Sequence, residues 1–115
     1  MHGPGSKRPL SGTELRRLLV LRGRLRDEVA GTPRRVQREV LRALELARRL
    51  RLEGRARPWT PPAMAPDELL REIKWRVDAA SLAEVSAAVR VLDRAKRGGA
   101  SRTLRGPGRT APRAR

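Results

Sequence analysis

Three arginines stepping by four residues, Arg34, Arg38 and Arg42, come closest in type and spacing to a chemical task. On a helix, four residues rise about 6 Å, close to a phosphate spacing in a strand. The three guanidinium groups therefore make a comb for a polyanion backbone. Arg48, Arg49 and Arg51 extend the basic surface toward the end of the same segment, where cations also suit the helix dipole. Arg55 and Arg57 carry it into the loop that follows. These eight arginines are the expected nucleic-acid contact.

Little else offers a reaction. The single histidine, His2, stands alone near the chain start, so no Ser/His/Asp set and no histidine-based metal cluster can form. The absence of cysteine removes a thiol nucleophile, a thiolate metal site and a disulfide framework. No GxGxxG follows a strand-like segment and no G-K-[ST] occurs. Most of the 12 acidic residues sit at helix starts or one turn from an arginine, as expected for caps and surface pairs. The expectation is a non-enzymatic protein without metal or cofactor.

The two aromatic residues are Trp59 and Trp75. Trp59 lies between Pro58 and Thr60-Pro61-Pro62, where it can plug a small core or serve as a docking motif. Trp75 points away from the apolar face of its segment, beside Lys74 and Arg76, where it can stack a base or pack against a neighbour. Both are candidate partner contacts.

Charge supports an anionic partner. The formal net charge is +16 over 115 residues, and 25 of the 28 basic residues are arginine. So small a chain repels itself at that charge unless an anion neutralises it, and a pI near 12 fits a nucleic-acid footprint. The lack of Asn, Phe, Tyr and Cys is what a very GC-rich genome writes, and it accounts for part of the preference for Arg over Lys. It does not account for the distribution. Residues 1–57 hold 16 basic and 6 acidic groups, residues 58–97 hold 7 and 6, and residues 98–115 hold 5 and none.

The elements that must position these residues are helical. Ser11-Gly12-Thr13-Glu14 has the spacing of a capping box, and a first helix is expected from 12 to 30, with Leu15, Leu18, Leu19, Leu25 and Val29 as its stripe. Gly31-Thr32 is too short for anything but a helical hairpin. Thr32 is the expected cap and Pro33 the first residue of a second helix over 33–53, stopped by Gly54. Its predicted buried stripe is Val36, Val40, Ala43, Ala47 and Leu50, with Arg34, Arg38, Arg42, Glu45 and Arg49 opposite. Residues 55–66 form a Pro-rich connector. A third helix over 66–79 buries Leu69, Leu70, Ile73, Val77 and Ala80. Ser81 to Glu84 is a second capping box, opening a fourth helix over 82–97 with Leu82, Val85, Ala88, Val89, Leu92 and Ala95 inward, stopped by Gly98-Gly99.

The fold expected is all-α: a small bundle of about four helices, made of two antiparallel helical hairpins with disordered basic termini. Its parts are an N-terminal tail 1–10, a helical domain 11–97 (basic hairpin 11–54, connector 55–66, near-neutral hairpin 67–97) and a basic tail 98–115. Apolar residues left over, among them Val20, Leu21, Leu41, Leu46 and Val91, suggest tight packing or a homodimer surface. The longest apolar run, Leu18 to Leu21, is far too short for membrane insertion. TELRRLLVLRGRLR is basic and amphipathic, as a membrane-surface helix is, but the hairpin already uses its leucines. The acid-poor start through Arg26 loosely resembles an organelle transit peptide, and SLAEVSAAV the first helix of a helix-turn-helix, without its turn glycine. The reading is a small DNA- or RNA-binding protein of the cytoplasm, associated with nucleoid or ribosome, that grips the phosphate backbone. The alternative is an antitoxin-like or phage-like adaptor that binds an acidic protein through the same arginines.

Overall fold

The computed structural model describes residues 10–105. Four helices and no strand occur among them: α1 (Gly12–Val29), α2 (Arg34–Glu53), α3 (Pro66–Ala79) and α4 (Leu82–Arg105). The tails expected at 1–10 and 98–115 fall largely outside these residues, with 1–9 and 106–115 not described. The stop expected at Gly98-Gly99 is a correction, because α4 continues through both glycines to Arg105. Each glycine in a helix interior costs about 1 kcal/mol against alanine, which weakens a helix without ending it.

The helix ends follow local chemistry. The Ser11 hydroxyl accepts from the Glu14 N–H at 3.1 Å, and the Ser11 N–H donates to the Glu14 carboxylate at 3.0 Å, a complete capping box. Thr32 does not cap α2; its hydroxyl donates back to the Val29 carbonyl at 2.6 Å, and Pro33 occupies the cap position. The turn is closed instead by the buried Gln37, whose amide donates to the carbonyls of Thr32 (3.0 Å) and Val29 (3.2 Å). At the other end, Gly54 adopts φ 78° and its N–H bonds to the Leu50 carbonyl at 2.9 Å, a left-handed stop that suits glycine. For α3, the Glu68 carboxylate accepts from the Ala65 N–H at 2.9 Å. In α4 the Ser81 hydroxyl caps the Glu84 N–H at 3.3 Å, while the Glu84 carboxylate takes the hydroxyl itself (3.1 Å) and Arg51.

The two consecutive helix pairs interlock. Helices α1 and α2 each pack chiefly on α4 and secondarily on α3, while α1 meets α2 little and α3 meets α4 least. The core is built from Leu18, Leu25 and Val29 of α1, Val36, Val40, Leu41 and Leu44 of α2, Leu69, Ile73 and Val77 of α3, and Val85, Ala88, Val89 and Leu92 of α4. Burying each Leu or Ile fully contributes about 1.5–3 kcal/mol. Two expected stripes shift as a result. Because α2 touches both α3 and α4, its buried arc turns toward Leu41 and Leu44, leaving Ala43 and Ala47 half-buried and Leu50 56% exposed. On α1, Leu15 and Leu19 are 47% and 55% exposed, and the core begins only at Leu18. Arg22 reaches across to donate to the Ala80 carbonyl at 2.7 Å, where α3 hands over to α4.

Candidate nucleic-acid interface

The expected arginine comb holds the connector. The chain from Trp59 to Met64 runs antiparallel along α2, and the three arginines donate to its carbonyls in sequence. Arg42 bonds the Trp59 carbonyl at 3.0 Å, Arg38 those of Pro61 (2.7 Å) and Pro62 (3.1 Å), and Arg34 that of Met64. The fit has a simple chemical basis. A Pro-rich extended chain makes no internal hydrogen bonds and its prolines lack N–H groups, so it presents mostly acceptors. Arginine presents donors only. The four-residue rise of about 6 Å on the helix matches about two extended residues at roughly 3.1 Å each.

Trp59 is the plug at the head of this strap. It is half-buried and packs against the core, with the guanidinium carbons of Arg49 and Arg76 at 5.8 Å and 5.7 Å from its ring centre. Those two cations share the buried carboxylate of Glu45, with Arg49 at 2.6 Å, and Arg76 also bonds Glu72 at 2.8 Å. Burial pushes the Glu45 carboxyl upward, but the hydrogen bonds from Arg49 and Arg76 outweigh it and hold the group below its usual range. Arg76 is the mirror case: burial lowers it, and Glu45 and Glu72 more than restore it. Nothing in the α2 pattern separates Glu45 from the surface acids, because its second partner is 31 residues away.

Of the other expected contacts, Arg51 pairs with the buried Glu84. Arg48, Arg55 and Arg57 are exposed and bond nothing among the described residues. Arg90, outside the expected set, belongs beside them. With Arg51 it lines an apolar groove of about 460 Å³ between α2 and α4, walled by Leu46 and Leu50 from one helix and Ala83 and Ala87 from the other. Ala56, between Arg55 and Arg57, closes the same groove. The α2 end, the connector start and α4 thus meet at this groove, with Arg51 and Arg90 as its cations and Arg55 and Arg57 on either side of Ala56. Arg90 has a detectable signal, since Arg90, Arg94 and Arg97 repeat at helical spacing; its neighbourhood with Arg55 is tertiary.

Trp75 is 69% exposed, on the wall of a second cleft between α2 and α3. Among the described residues no group of three His, Cys, Asp or Glu is placed to hold a metal ion. No helix among them is long and apolar enough to cross a membrane. Set against known protein families, curated proteins and solved structures, the chain has no significant match in any of the three.

Proposed function

We propose that this chain is a non-enzymatic nucleic-acid-binding protein that contacts the phosphate backbone of DNA or RNA without reading sequence. One observation supports the reading above the rest. Internal acceptors are consumed by a subset of the arginines, and part of the exposed remainder belongs to the segments that border the α2–α4 groove. Glu28, Glu45, Glu72, Asp78, Glu84 and Asp93 are all held in ion pairs. Arg55, Arg57, Arg90, Arg94 and Arg97 have no such partner among the described residues; Arg90 lines the α2–α4 groove, and Arg55 and Arg57 flank Ala56, which lines it too. A protein stabilised only by its own salt bridges would balance these charges, and an anionic polymer supplies the balance from outside. Such a role places the protein in the cytoplasm with nucleoid or ribosome.

The test is retention on duplex and single-stranded nucleic acid across a salt series. Neutralising Arg55, Arg57 and Arg90 together to Gln is expected to reduce the slope of log affinity against log salt by about 2–3, at about 0.7–0.9 for each phosphate no longer neutralised. An unchanged slope places the interface elsewhere.

A second reading is favoured by the groove itself. Its apolar walls and arginine rim suit an acidic amphipathic helix from a partner protein. That adaptor saturates with one protein and is indifferent to added DNA or RNA.

A further inference from the structure

The cleft between α2 and α3 has the chemistry of a nucleotide seat. Its α2 wall is Leu44 and Arg48, its α3 wall is Trp75, Arg76 and Ala79, and Glu84 of α4 closes one side, enclosing about 230 Å³. Two of its charged neighbours are already engaged. Arg76 is bonded to Glu45 and Glu72, and Glu84 to Arg51 and Ser81, while the Trp75 ring is left mostly uncovered. Arg48 is the cation lining this cleft that bonds nothing among the described residues. A mostly exposed indole with no ring stacked on it thus lines the same cleft as a guanidinium with no anion.

Building on the phosphate-binding reading above, we infer that this cleft seats one unpaired base on Trp75 with the adjoining phosphate on Arg48, so that the protein prefers single-stranded nucleic acid to duplex. Two general facts carry the step. Every base has a π face, so stacking on tryptophan tolerates sequence. In a duplex those faces are already stacked on neighbouring bases and cannot reach a cleft wall. Lys74, next along α3, adds a further cation beside the ring for the following phosphate. Glu84 does not oppose the anion strongly, because Arg51 neutralises it at the cleft edge.

The experiment uses the full chain with Trp59→Phe, which leaves Trp75 as the sole tryptophan. It is titrated with a short oligothymidylate, with a duplex of equal length, with heparin and with poly-glutamate. The expected result is quenching of Trp75 by the single strand only. Trp75→Ala is expected to weaken single-strand binding by about 5–150-fold, from stacking of about 1–3 kcal/mol per base, with duplex and heparin affinity unchanged. Because Trp75 is exposed, the variant should keep its helicity, which circular dichroism verifies. Single-strand binding without quenching, or with Trp75→Ala equal to the parent, overturns the base seat and leaves the backbone reading standing. Quenching by poly-glutamate alone overturns it in favour of an acidic protein partner. Binding to none of the nucleic acids removes both readings together.

Discussion

The strap predicts a stability defect where a simple phosphate comb predicts none. Arg38 makes two of the four α2–connector bonds, to the carbonyls of Pro61 and Pro62 at 2.7 Å and 3.1 Å, and Pro61 is buried. A hydrogen bond to a charged group contributes about 1.5–3 kcal/mol net when well shielded. Arg38 is half-open to solvent and water can replace part of the bonding, so Arg38→Ala is expected to cost about 1–2 kcal/mol. Adding Arg42→Ala removes the bond to the Trp59 carbonyl and brings the loss to about 2–3 kcal/mol. For a domain of this size each kcal/mol lowers Tm by about 4–8 °C. The control is Arg35→Ala, one helix residue from Arg34, exposed and without a bonded partner among the described residues; it is expected to stay within about 0.5 kcal/mol of the parent. Thermal unfolding is followed by circular dichroism and by Trp59 emission in a Trp75→Phe background. Emission should shift to the red at temperatures below global unfolding in Arg38→Ala/Arg42→Ala, as the plug leaves Arg49 and Arg76. If the double variant behaves like Arg35→Ala in both signals, the arginines do not hold the connector and the strap is refuted.

Two further outcomes test the packing. Glu28 is bonded first by Arg24 at 3.0 Å and then by Lys96 at 2.8 Å, which hold its carboxyl down to about 2 from an ordinary value of 4.5. A pKa depressed in the folded state gives stability that is present above 4.5 and is lost as pH falls toward 2. With solvent screening reducing the pairing, Glu28→Gln should cost about 1 kcal/mol at pH 7 and almost nothing at pH 2, measured by urea unfolding at both. Gly23 sits mid-helix in α1 with open space where a Cβ would be, so Gly23→Ala should raise stability by about 0.5–1 kcal/mol in the same assay.

The elements were legible because their signals are local. Ser11 with Glu14, Gly54, and Pro66 ahead of Asp67 and Glu68 mark helix ends by backbone chemistry that needs no tertiary partner, and each stands where expected. The stripes of α3 and α4 were legible for a related reason: each has one crowded apolar face, and one face is what periodicity resolves. Helix α2 was less so. It lies against both α3 and α4, and an arc wide enough for two neighbours takes in Leu41, Leu44, Gln37 and Glu45, which a single stripe assigns elsewhere. The site was least legible. Arg34, Arg38 and Arg42 share a face as the spacing requires, but spacing does not say which acceptor arrives there, and the acceptor is a segment 17 to 30 residues away in sequence.

That acceptor also decides where a polyanion can bind at low cost. A phosphate that takes the particular N–H groups given to the connector releases one carbonyl for each, and at Arg42 that carbonyl belongs to Trp59, the plug over the core. The gain from one exposed phosphate contact is of the same order as the bond given up, so the exchange returns little. Arg48, Arg55, Arg57 and Arg90 give up no such bond. Identical guanidinium groups on one chain thus divide by their competition: those facing a donor-poor proline segment become structural, and those facing water remain available. A net charge of +16 does not reveal that division, and neither does helical periodicity. It follows from prolines that offer carbonyls without N–H groups, set one helix turn at a time against arginines that offer the reverse.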